Sequence, residues 1–121
     1  MAYKNCEFKL DYSFEDDLLY LYNENKKSNG SIEFGDLIVD LEKKGEVVGL
    51  EIFDASKYLS ELTSKKISKQ NLKKIEKASF SFTSKKGTIL IKIILPIKKE
   101  KSPATITIQN INYKSPLSAV H

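Results

Sequence analysis

The stretch EVVGLEIFDAS, Glu46–Ser56, changes its period within a few residues. Val48, Leu50 and Ile52 alternate with Gly49 and Glu51, the two-residue period of a half-buried strand. From Ala55 the rule is different: Ala55, Tyr58, Leu59 and Leu62 fall at i, i+3, i+4 and i+7, one face of a helix. No linker separates the two. Asp54 stands immediately before the helical stripe, so its side chain is expected to accept from the free N–H groups at the helix start, a structural cap worth about 1 kcal/mol.

Towards the N-terminus the same two-residue period recurs. Phe8, Leu10 and Tyr12 alternate with Lys9 and Asp11, SFEDD reads as a turn, and LLYLY resumes a β-favouring run, together a hairpin. The polar NENKKSNG is a solvent loop. SIEF is a short strand, and DLIVDL and EVVGLEIF are strands joined by EKKG, where Gly45 supplies the positive φ of a tight turn.

Towards the C-terminus, SKQNLKKIEKA reads as a second helix with Ser68 as its cap and Leu72, Ile75 and Ala78 as its apolar stripe. SFSFTS, TILIKIILPI and ATITIQNINY follow as three strands. The middle one is apolar on both faces and is expected to be central, with Pro96 ending its donor ladder and Pro103 marking the next loop. The tail KSPLSAVH has no usable period. The elements sum to an α+β protein: an antiparallel sheet drawn from both halves, with two central helices packed on one face, in a single domain spanning residues 1–121.

Composition divides that domain. Residues 1–62 hold 7 Lys against 14 Asp and Glu, a net of −7, whereas residues 63–121 hold 13 Lys against 2 acids, a net of +11. Such asymmetry implies an electrostatic partner for one half or neutralisation of one half by the other. All 20 basic residues are Lys. Without the planar guanidinium fork, sequence-specific reading of bases is disfavoured, and nonspecific attraction to phosphates remains open.

The same composition removes much catalytic vocabulary. The one histidine is His121, the last residue, and Cys6 is the single cysteine. No Ser-His-Asp or Cys-His arrangement, His metal cluster or cysteine zinc site is available, so no cofactor or metal is implied and the chain does not read as an enzyme. With no disulfide possible within the chain and no long apolar run, a cytoplasmic protein without a membrane span is expected. The 30% charged content and scarcity of Cys and Met also fit a thermophilic origin.

The acidic half resembles a family known as domain of unknown function 2283. The resemblance is carried by Tyr12, Glu15, Asp17, Leu19 and Tyr20, then Leu37, Ile38, Val39, Asp40, Gly45, Val47, Val48, Gly49 and Glu51, closing on Asp54, Ala55 and Ser56. Ser13 and Phe14 replace the aspartate and proline usual in the turn. It covers residues 7–56 and implies a small antiparallel sheet followed by a helix, with no activity to carry over. Some members look like partners of small toxin-like proteins in paired genes.

Three sets of residues carry functional readings. The acids of SFEDD suggest a calcium loop or an acid/base pair, but lack the spacing of an EF-hand and read more plainly as a solvated turn. Asp40 and Glu51, on adjacent strands, are placed to face one another or a neighbouring Lys, and read as members of a surface salt bridge rather than as catalytic carboxylates. Lys66, Lys69, Lys73 and Lys77, at spacings of three and four, form one basic stripe if they share a helix, and such a stripe can track phosphates; a solvated helix face is the plainer reading. A short edge strand such as SIEF must be covered or paired, and pairing with a second copy gives a dimer. The function expected is therefore a noncatalytic interaction module forming a homo-oligomer or binding a small protein partner, with nonspecific nucleic-acid or polyanion binding as the alternative.

Overall fold

The computed structural model describes residues 4–85, 88–97 and 100–108. The hairpin of the acidic half is formed by β1 (Lys4–Ser13) and β2 (Leu18–Tyr22). Next come β3 (Gly30–Phe34), β4 (Leu37–Leu41) and β5 (Val47–Ile52), with Gly45 at φ 87° in the turn before β5. Two helices, α1 (Ala55–Thr63) and α2 (Lys69–Lys73), precede β6 (Lys77–Lys85), β7 (Thr88–Ile97) and β8 (Glu100–Ile108).

All these strands join one antiparallel sheet in the order β3-β4-β5-β2-β1-β6-β7-β8. The acidic half therefore supplies one side of the sheet and the basic half the other. The seam between them is the β1–β6 ladder, in which Phe8 lies opposite Ala78 and Lys9 opposite Lys77. Phe8 and Phe80 stack across it with ring centroids 3.9 Å apart.

The expected α+β layering is not what forms. Most of the described residues lie in strands and only two short segments are helical, and the sheet curls into a half-barrel around its own core. The reason lies in the second helical stretch. Ser68 caps α2 as expected, accepting from the Asn71 N–H while the Asn71 side chain accepts from Ser68 N–H. The helix then lasts only 5 residues, because Lys77 and Ala78 are drawn into pairing with β1. What reads as two central helices becomes two short plugs: Ala55, Leu59, Ile67, Leu72 and Ile75 join the concave core, with α1 against β8 and α2 against β1.

Three strand details also differ from the sequence reading. In β5, Leu41 pairs with Val47 and Asp40 with Gly49, so Val48 is an extra residue in a β-bulge. Val47 consequently joins the core, and Val48, though buried, stands apart from it. β7 is the last strand but one, not central: Ile89, Ile91, Ile93 and Leu95 are fully buried on its inner face, while Leu90 and Ile94 on the outer face are only partly covered. Finally, Pro96 and Pro103 both sit inside strands, opposite Lys101 and Ile94. A proline fits β8 because β8 is an edge, where a missing N–H can face outward. Of the run ATITIQNINY, residues 109–113, like the tail KSPLSAVH, lie outside the described residues.

Candidate functional site

The acids of the SFEDD turn do not converge on a common point. Glu15 and Asp16 are exposed, with Asp16 accepting from the Ser13 hydroxyl at 3.1 Å. Asp17 turns the other way. Its φ of 50°, a left-handed value that aspartate tolerates better than most residues, accompanies a carboxylate aimed at the start of α1. Ser56 N–H donates to both carboxylate oxygens at 3.1 and 3.2 Å, Ser56 Oγ to one of them at 2.7 Å, and the Tyr12 hydroxyl to the other at 2.5 Å. Ala55 N–H donates to the Asp17 carbonyl at 2.9 Å.

Burial is the largest single influence on the Asp17 carboxyl and opposes its ionisation. The hydrogen bonds from Tyr12 and Ser56 and the nearby Lys69 charge together outweigh it, so the pKa falls below the ordinary carboxylate value. The Tyr12 phenol is pushed the other way, upward, by burial and by its bond to Asp17.

This network corrects the expected cap. Asp54 does occupy the N-cap position, but its backbone is left-handed, φ 51°, and its side chain makes no capping bond. Capping aspartates hold an extended backbone that aims the carboxylate along the first turn, and this conformation does not. The acceptor role passes to Asp17, 39 residues before Ser56 in the chain. No local sequence signal marks that partner. The only pointer to it is the family pattern, which contains Tyr12, Asp17 and Ser56.

The basic residues are dispersed. Lys66 precedes α2, Lys69 and Lys73 lie on it, and Lys77 opens β6, so the four do not form a single helical stripe. Lys69 and Lys73 place their ammonium groups 5.4 and 5.3 Å from the centre of the Phe14 ring in the acidic turn, and Lys77 pairs with Glu7 at 3.4 Å. Part of the basic half is thus engaged by the acidic half.

Asp40 and Glu51 share the convex face. Asp40 is only 6% exposed and accepts from Ser31 Oγ at 2.7 Å. A Cβ at Gly49 would lie 2.7 Å from Asp40 Oδ2, which explains the glycine opposite it. Burial, then the Asp40 charge, raises the Glu51 pKa. Tyr20 and Tyr22 stack beside them at 5.0 Å, and the Tyr20 phenol is raised by burial and by both acids. The pair is thus a like-charged neighbourhood rather than an ion pair. Among the described residues no group of three or more His, Cys, Asp or Glu could hold a metal ion, and no helix is long and apolar enough to cross a membrane.

The remaining feature is the pair of sheet edges. Among the described residues β3 pairs only with β4, and β8 only with β7. β3 is short, 5 residues, and carries the exposed Glu33. β8 is 9 residues long, and its stretch from Pro103 to Thr107 has no charged side chain.

Fold and site define a class: an open antiparallel half-barrel with polar locks at its turns and, among the described residues, two unpaired edges. Residues 9–56, from the middle of β1 to the serine that binds Asp17, match the family described as "Protein of unknown function (DUF2283)". The chain is 43% identical over 49 residues to "Uncharacterized protein MJ0789" of Methanocaldococcus jannaschii, covering 40% of this chain and 42% of that one. It is 36% identical over 56 residues to a Methanosarcina mazei protein named "Putative hypoxanthine phosphoribosyltransferase", covering 46% of each. The matches span less than half the length of either relative. No solved structure gives a significant match.

Proposed function

We propose that the protein is a noncatalytic interaction module that assembles with further copies of itself in the cytoplasm. The observation that carries this reading is the open sheet: eight strands end in two edges whose outer backbone groups have no strand partner among the described residues. Unpaired N–H and C=O rows are templates for pairing with another chain. The candidate carboxylates favour the same conclusion, since Asp17 is committed to holding α1 and Asp40 to Ser31. The enzyme name of the M. mazei relative belongs to that protein, of which the match covers 46%.

Sedimentation equilibrium of the full chain at micromolar concentrations tests the reading. A stable dimer or larger assembly is expected, and a strict monomer overturns self-association. The polyanion alternative, favoured by the exposure of Lys66 and Lys73, is tested on the same preparation. It requires binding to a generic duplex at low salt that weakens steeply as salt is added, and no binding at low salt eliminates it.

A further inference from the structure

We infer that β8 is the self-association edge, and that two copies pair their β8 strands antiparallel about a two-fold axis at Ile106. The inference rests on the proposed self-association and specifies its surface.

The two edges are unequal. Natural sheets protect an edge by keeping it short, charging it or placing proline in it. β3 is short and bears Glu33. β8 is nearly twice as long; its charged residues, Glu100 and Lys101, stand at its first two positions, and from 103 to 107 its one protective device is Pro103.

Pro103 also fixes the direction of the strand's backbone groups. The ladder to β7 continues through the Ile94–Pro103 pair, so the proline nitrogen faces away from β7. Backbone groups alternate in direction along a strand, so Thr105 and Thr107 also present N–H and C=O outward, while Ala104 and Ile106 bond to β7.

With the outward groups assigned, one pairing uses them without loss. Centring the axis on Thr105 would set Thr107 of the second copy against Pro103, where the donor is missing. Centring it on Ile106 sets Thr105 against Thr107 of the second copy, twice over. Each of these pairs exchanges two N–H···O bonds, and Pro103 is left outside them. The side chains agree with that register. Thr105 and Thr107 are exposed on the convex face and meet as threonine pairs, a favourable cross-strand combination, with no like charge opposite another. On the concave side Ile106 meets its own copy. There α1 packs against β8, and Leu62, the end of its apolar stripe, is 39% exposed.

The test is a disulfide at the axis. Residue 106 forms a non-hydrogen-bonded pair with itself, at a Cα separation of roughly 4.5 Å that a disulfide spans. In a Cys6→Ser background, the Ile106→Cys chain should form a covalent dimer under mild oxidation. Thr107→Cys in the same background should not, because it faces Thr105 of the second copy rather than another cysteine.

A second variant, Thr105→Pro, removes an outward donor and leaves the bonds to β7 in place. It should raise the dimer dissociation constant about tenfold or more in sedimentation, since each two-fold contact loses two hydrogen bonds, with the far-UV spectrum checked for folding. A wild-type dimer with neither a residue-106 crosslink nor sensitivity to Thr105→Pro overturns the β8 contact and leaves self-association standing. A monomeric wild type overturns both. If Thr105→Pro fails to fold, the crosslink alone decides.

Discussion

The two sides of the sheet hold their strands by different means. β2, β3, β4 and β5 are 5 or 6 residues long, and polar locks fasten their ends: Tyr12, Asp17 and Ser56 at one turn, Ser31 and Asp40 across β3 and β4. β6, β7 and β8 run 9 or 10 residues, and the buried row Ile89, Ile91, Ile93 and Leu95 has no polar member. A short strand contributes few ladder bonds and little apolar area, so the geometry of its ends has to be fixed by directed bonds. A long strand distributes the same task over its whole length.

The largest effect is expected at the seam where the two sides meet. Phe80→Ala removes a ring that is 1% exposed and stacked on Phe8, and should cost about 3–5 kcal/mol in urea unfolding. If the two sides form one cooperative unit the transition remains single; two separated transitions would show that each side folds alone.

Next comes the polar lock. Asp17→Ala leaves the Ser56 N–H, the Ser56 hydroxyl and the Tyr12 hydroxyl without their acceptor, and should cost about 2 kcal/mol. Its pH signature has a definite sign. The Asp17 pKa is depressed in the folded state, so its contribution is present above the unfolded value, about 3.9, and is lost as pH falls through the folded value. Glu51 is raised, so its ionisation penalty is relieved on acidification and its contribution runs the opposite way. Asp17→Asn should therefore flatten the acid limb of a stability–pH curve, whereas Glu51→Gln should steepen it. An Asp17→Asn curve parallel to wild type would refute the lock.

Smaller still is the contact between the sides at Phe14. Replacing both Lys69 and Lys73 by Ala should cost about 1 kcal/mol, the scale of exposed cation–π contacts. The least effect belongs to Asp54→Gly, within about 0.5 kcal/mol in thermal unfolding, because that side chain is exposed, makes no capping bond and sits on a left-handed backbone that glycine adopts freely. A loss from Asp54→Gly as large as that from Asp17→Ala would reverse the assignment of the cap.

Much of the architecture is legible in the residues. The β1–β2 hairpin, the Gly45 turn, the strand-to-helix change after Phe53 and the Ser68 cap all depend on neighbours within a few positions, and each forms as read. The departures are non-local. Asp17 displaces Asp54 because a residue distant in sequence holds the better acceptor geometry. α2 stops early because β1 offers Lys77 and Ala78 a ladder. Val48 leaves the core because a bulge shifts the alternation by one. The four lysines lose their common face where the helix expected to carry them ends.

By itself, then, the order of residues determined where strands run, which turn needs glycine, how charge divides along the chain and which chemistries have no residues to perform them. Only the tertiary structure decided how those strands are ordered, that they curl into one half-barrel, which strands lie at its edges, and which acid holds α1. The division has a physical basis. Periodicity and turn chemistry are set by atoms a few residues apart, whereas edges, bulges and buried acceptors exist only once segments far apart in the chain compete for the same partners.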